Sequence, residues 1–155
     1  MKNIFQHIRD GDLAQLKIVS EQINYDTLVD ERGTTPLILA SYHGHLSIVE
    51  FLLKKSKNIN KQDNSGNTAL MGATFKGFKD IVTLLIDSGA DVNIRNFQNA
   101  TALFFAAGFN RPNIARTLID NGADITLKDN RGKTAYHQAK AQGLGETFLF
   151  IKPLE

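Results

Sequence analysis

Apolar and polar positions along this chain repeat every 33 residues. Thr35, Thr68, Thr101 and Thr134 fall in register, as do Ala40, Ala73, Ala106 and Ala139, and Leu52, Leu85, Leu118 and Ile151. A period of roughly 20–50 residues marks a stacked array, in which each unit buries its apolar face against its neighbours. Within the unit from Asp63 to Arg95, the polar run Asp63-Asn64-Ser65-Gly66-Asn67 is turn chemistry. An Asx side chain bonds nearby amides there, and Gly66 accepts positive φ. Thr68 suits a helix N-cap. A short helix then carries Leu70 and Ala73 inward until Gly77 stops it. A second, longer helix sets Ile81, Val82, Leu85 and Ile86 on one face, and Gly89 suits the left-handed position that closes it. Ala90-Asp91-Val92-Asn93 leads out along an extended hairpin arm. One unit earlier, Thr35 is followed by Pro36, whose fixed φ fits the first helical position. The small alanine of each first helix lets neighbouring helices approach closely. The pattern predicts an all-α solenoid of helix-turn-helix units joined by hairpin arms.

Several of these residues carry a family likeness. Gly33-Thr34-Thr35-Pro36-Leu37 with Ala40, then Gly44-His45, Ile48-Val49 and Leu52-Leu53, resembles the ankyrin repeat signature. Gly89-Ala90-Asp91-Val92-Asn93 and Gly122-Ala123-Asp124-Ile125-Thr126 are similar to its closing segment. The resemblance covers nearly the whole chain and implies a single ankyrin repeat domain over 1–155. Full repeats are expected at 30–62, 63–95 and 96–128, with an N-terminal capping unit at 1–29 and a truncated C-terminal capping unit at 129–155. In the first unit Ile4, Ile8, Gly11, Leu13, Leu16 and Val19 hold the helix positions, while His7 replaces the small alanine. In the third, Asn99 and Asn110 stand where other units have Gly66 and Gly77; asparagine is the side-chain-bearing residue best suited to the left-handed region. The family's Thr-Pro-Leu-His histidine, which ties the turn to the backbone, survives only as His137. Ile38, Met71 and Phe104 replace it elsewhere, so the middle turns are expected to be held less firmly. His45 matches the family's turn histidine.

Composition narrows the function. Apolar content of 42% and charged content of 22% are globular values, so disorder is not expected. A net charge of +2 is too small to imply nucleic acid or a membrane surface. The absence of cysteine excludes disulfides and thiolate chemistry and fits a reducing compartment. The first ten residues contain no unbroken apolar core of a signal peptide, and no apolar run approaches the ~20 residues of a membrane span. A soluble, monomeric, cytoplasmic protein is expected.

No arrangement calls for an enzyme. His7, His43, His45 and His137 without cysteine make a poor metal set, and His43 and His45 are expected to point to different sides of a short turn. Asp63-Asn64-Ser65-Gly66-Asn67 lacks the spacing of a calcium loop. Gly143-Leu144-Gly145 is no phosphate cradle, and no serine sits in a nucleophile elbow. No cofactor or metal is expected.

The resemblance implies a protein partner met by hairpin tips and by residues late in the first helix. By position, the partner-binding candidates are Arg32, Phe97 and Arg131 at the tips, Arg95 and Lys128 on the arms, and Tyr42, His43, Phe75, Lys76 and Phe109 at the helix edge. Tyr42 and Phe75 lie one repeat apart where packing does not require them, with Phe97 and Phe109 expected nearby. Aromatic residues serve as interface anchors because they bury large area with little rotamer freedom to lose. The excess of Arg32, Lys76, Arg95, Lys128, Arg131 and Lys133 over Glu31 points to a partner with an acidic surface. The expected function is a protein-interaction module, acting as scaffold or inhibitor. The alternative is nucleic-acid binding through the basic arms.

Overall fold

The computed structural model describes residues 3–154. Among them the chain forms α1 (Ile4–Arg9), α2 (Leu13–Val19), α3 (Pro36–His43), α4 (Leu46–Leu53), α5 (Ala69–Lys76), α6 (Lys79–Asp87), α7 (Ala102–Gly108), α8 (Pro112–Asp120) and α9 (Ala135–Ala141), followed by a 3-10 turn at Leu149–Ile151. No strand forms among the described residues. Helices α3, α5, α7 and α9 begin at Pro36, Ala69, Ala102 and Ala135, in step with the 33-residue register. They stack on one another with α1 as an inner layer, while α4, α6 and α8 form an outer layer whose members touch more sparingly.

The repeated positions explain this stacking. Ala40, Ala73, Ala106 and Ala139 are fully buried, at the places where first helices approach closely. Leu52, Leu85, Leu118 and Ile151 are fully buried behind them, each worth about 1.5–3 kcal/mol in area removed from water. Thr35 Oγ1 accepts from the Ile38 amide at 3.1 Å and Thr68 Oγ1 from the Met71 amide at 3.3 Å, as N-caps do. At the other end Gly44 and Gly77 take φ of 78° and 83°. Asn99 and Asn110 enter the same region at 59° and 57°, as the asparagine substitution predicts. Pro112 stands first in α8.

Three details differ from the sequence reading. The second helix is not longer in every pair: α3 and α4 both have eight residues. The arms form no ladder, because each tip closes on itself through a bond such as Asp63 amide to Asn67 carbonyl, 2.9 Å, and joins the next tip through bonds too widely spaced to propagate. The tip bonds run from the Asn64 amide to the Arg32 carbonyl, from Phe97 to Ser65, and from Asn130 to Gln98, at 3.0–3.1 Å. Finally, the middle turns are firmly held without the histidine. Asp30, Asp63, Asn96 and Asp129 each accept, through one Oδ1, the amides two and four residues on, at 2.9–3.0 Å. His137 adds its own tie, its Nδ1 accepting the Thr134 amide at 3.2 Å.

Candidate docking groove

Inner helices and tips enclose an open groove of about 1270 Å³ along the first two tips. Its floor is Ile38, Leu39, Met71 and Gly72; Val29, Asn64, Ser65 and Asn67 form the tip side, and Phe5 and Arg9 lie at the α1 end. The opposite wall is aromatic. Tyr42, late in α3, and Phe75, one unit later in α5, share a register and stack with centroids 6.0 Å apart and planes 7° apart. Phe75 meets Phe109 edge-on at 4.5 Å and Phe105 at 6.4 Å. The Lys76 ammonium lies 5.2 Å from the Tyr42 ring centre. Such aromatic pairs contribute about 0.5–1.5 kcal/mol and an exposed cation–π contact about 0.5–1 kcal/mol. Tyr42 is nevertheless 40% exposed and Phe109 49%, so apolar surface remains for a partner.

Of the ten candidate residues, Arg32, Tyr42, His43 and Phe75 line this groove. Lys76 and Phe109 join it through their ring contacts. Phe97 lies apart, 66% exposed at the third tip, where it covers Gly66. Arg95 is occupied within the array: its guanidinium donates to the Lys128 carbonyl, while its own carbonyl accepts from Gln62 Nε2 at 2.9 Å. Lys128 is exposed on the following arm. Arg131 is held 3.1 Å from Asp129.

Histidine placement corrects the sequence expectation. His43 and His45 do not diverge; their rings lie nearly parallel, 11° apart with centroids at 6.1 Å. His45 is fixed by reaching back to the preceding unit, its Nε2 3.0 Å from the Arg9 carbonyl and its ring over Gly11. Phe78 covers Gly44 in the same register, and Arg111 covers Gly77 while donating to the Phe75 carbonyl at 3.3 Å. Among the described residues no group of three His, Cys, Asp or Glu could hold a metal. No helix among them is long and apolar enough to cross a membrane.

Carboxylates stand among the basic residues of the tips. Asp30, Asp63 and Asp129 occupy the same tips, with Arg9 3.9 Å from Asp30. Burial works to raise the Asp30 carboxyl, but the Thr34 and Arg32 amides, with Arg9 nearby, hold it below the usual carboxylate range. Burial opposes the Lys133 and Arg131 amides and the Arg131 guanidinium at Asp129, with the same net lowering. Further basic side chains stand in the last turns of α1, α3 and α5, as Arg9, His43 and Lys76. Burial, followed by His45, Arg9 and Lys76, pushes the His43 imidazole below its ordinary value.

Arg9 and Phe105 are among the groove residues that the sequence reading did not name. Arg9 stands one period before Tyr42, and Phe105 shares the register of Leu39 and Gly72. Extending the Tyr42–Phe75 register backwards would have found Arg9. Phe105 has no such signal, because its helix position reads as packing.

Comparison with known proteins agrees with this architecture. A three-copy model of ankyrin repeats matches residues 5–96, and a many-copy ankyrin model matches residues 85–139. Over 63 residues, 40% of this chain, the sequence is 38% identical to ankyrin repeat and SAM domain-containing protein 6 of Mus musculus. The Rattus norvegicus protein of that name matches with the same identity and coverage. The matched stretch spans only 7% of either relative.

Proposed function

The chain belongs to the ankyrin repeat family, and from that premise we propose that it docks a partner protein in the groove between its tips and first helices, as scaffold or inhibitor. Ankyrin repeats are in general protein–protein interaction modules. The observation that carries the reading is the aromatic wall. Tyr42, Phe75 and Phe109 contact one another yet leave apolar area uncovered beside an open groove, the setting in which aromatic anchors contribute most to binding. The repeat boundaries at 30–62, 63–95 and 96–128, a non-catalytic role, a monomeric state and a cytoplasmic setting belong to the same proposal.

An acidic partner is also part of it. Arg32 and Lys76 flank the groove, and Lys128 and Lys133 extend the positive surface. Arg131 contributes less, being paired with Asp129.

The test is the double substitution Tyr42→Ala with Phe75→Ala. It is expected to keep the helical circular-dichroism spectrum and abolish capture of the partner obtained with the unaltered chain. Undiminished capture by the folded double variant would refute the aromatic-anchor reading.

A further inference from the structure

The basic side chains at the helix edge form a patch of their own. Arg9 ends α1, His43 ends α3 and Lys76 ends α5, so the stacking of first helices brings two cations and an imidazole from three units to one end of the groove. A positive charge at a helix C-terminus offsets the negative end of that helix. Here their neighbours add positive charge. His45 stacks on His43 at 6.1 Å, and the groups that act electrostatically on His43 are His45, Arg9 and Lys76, none of them acidic. Three carboxylates, Asp30, Glu31 and Asp63, line the tip side of the groove; Asp30 and Asp63 each accept two tip amides and Asp30 lies 3.9 Å from Arg9, while Asp10 accepts from Gln6 Nε2 at 2.8 Å. Lys76 ties the patch to the aromatic wall, because its ammonium lies over the Tyr42 ring.

We propose that the docked segment is acidic, with a carboxylate seated among Arg9, His43 and Lys76 and an adjoining apolar side chain against Tyr42, Phe75 and Phe109. This rests on the groove being the docking face for an acidic partner and adds where the partner's carboxylate sits and the proton its docking takes up. A seated carboxylate favours the charged imidazole, so docking takes up a proton at His43. Affinity therefore rises as the pH falls through the imidazole range and declines only when the carboxylate itself is protonated. Charge complementarity of this kind also speeds encounter and makes it salt-sensitive.

The experiment uses a labelled peptide of alternating aspartate and leucine, its asparagine–leucine counterpart, and the full chain. Fluorescence anisotropy is read at moderate salt between about pH 5.5 and 8. The acidic peptide is expected to bind at least about tenfold tighter than the amide peptide, the equivalent of one pKa unit of coupling. Lys76→Gln is expected to erase most of that preference. His43→Asn is expected to flatten the pH profile, and the His43 proton resonances of the unaltered chain are expected to titrate at higher pH once the peptide is bound. Equal affinity for the two peptides, or none for either, overturns the carboxylate seat, as does an unmoved His43 titration. If both peptides bind equally and Tyr42→Ala with Phe75→Ala abolishes both, the docking groove stands and only its acidic occupant fails. If the acidic preference survives in that double variant, the docking face lies elsewhere and both readings fail. Displacement of the acidic peptide by a single-stranded oligonucleotide, or masking of the groove by self-association in sedimentation, also overturns the proposal.

Discussion

Helices α3 and α5 differ from α7 and α9 on the groove face, although all four share one close-packed position: Ala40, Ala73, Ala106 and Ala139 are all fully buried. On the groove side the shared register reads Tyr42, Phe75, Gly108 and Ala141, so aromatic side chains leave that register after two units, and Phe105 and Phe109 extend the wall from other positions of α7 and its C-cap. A Cβ added at Gly108 would meet nothing within 4 Å, so stacking does not require that position to be empty. Packing positions therefore set the fold along the whole array, while the face they leave free is specialised in one part of it.

Substitutions in the packing layer test this division most severely. Leu85→Ala removes a fully buried side chain and is expected to cost about 2–5 kcal/mol in a denaturant titration; a loss well under 1 kcal/mol would show that the outer layer is not packed as described. Gly44→Ala follows. Its φ of 78° and a new Cβ 2.7 Å from the Phe78 ring are expected to cost about 1–3 kcal/mol, read as a lowered melting temperature. Gly72→Ala should act in the opposite direction. Its Cβ would meet Tyr42 at an ordinary 3.7 Å, so the gain in helix propensity, about 0.5–1 kcal/mol, should raise stability. A destabilised variant would mean that the groove floor is tighter than the distance implies.

The smallest effect separates the third tip from its neighbours. Asp30 and Asp129 have lowered carboxyl pKa values. The stabilisation they give is complete above the ordinary carboxylate value near ~4, and is lost as the pH falls through the lowered values. Asn96 makes the same two amide bonds but has no carboxyl to protonate. On acidification the amide resonances of Arg32, Thr34, Arg131 and Lys133 should shift, while those of Gln98 and Ala100 should not. Uniform behaviour of all three tips would show that the side-chain acceptors do not hold these turns.

The elements that could be read from the sequence are those whose chemistry is local and repeated. Threonine before α3, α5, α7 and α9, glycine or asparagine at the left-handed stops, and alanine at the close approaches of those four helices are all read from short spacing. The Tyr42–Phe75 pair was accessible because its two members share a register. Contacts between units were harder to foresee. The bond from Arg95 to the Lys128 carbonyl, the parallel His43 and His45 rings, and Phe97 lying over Gly66 depend on how long side chains reach across to a neighbour. Two side chains with the same period can point into the groove or along the array, and periodicity does not distinguish them. The middle turns lack the histidine, yet the Asx residue that begins every tip holds them through two amide bonds.

The row of tip bonds also gives the array an elastic asymmetry. Amide-to-carbonyl links join successive tips along one edge, reinforced by Gln62 and Arg95, whereas the outer helices on the opposite edge touch sparingly. Splaying the tips must break hydrogen bonds, whereas tilting one outer helix against the next, with each still packed on its own inner helix, disturbs fewer contacts. Under the proposed function, that softer deformation alters the curvature of the groove while the linked tips keep its length.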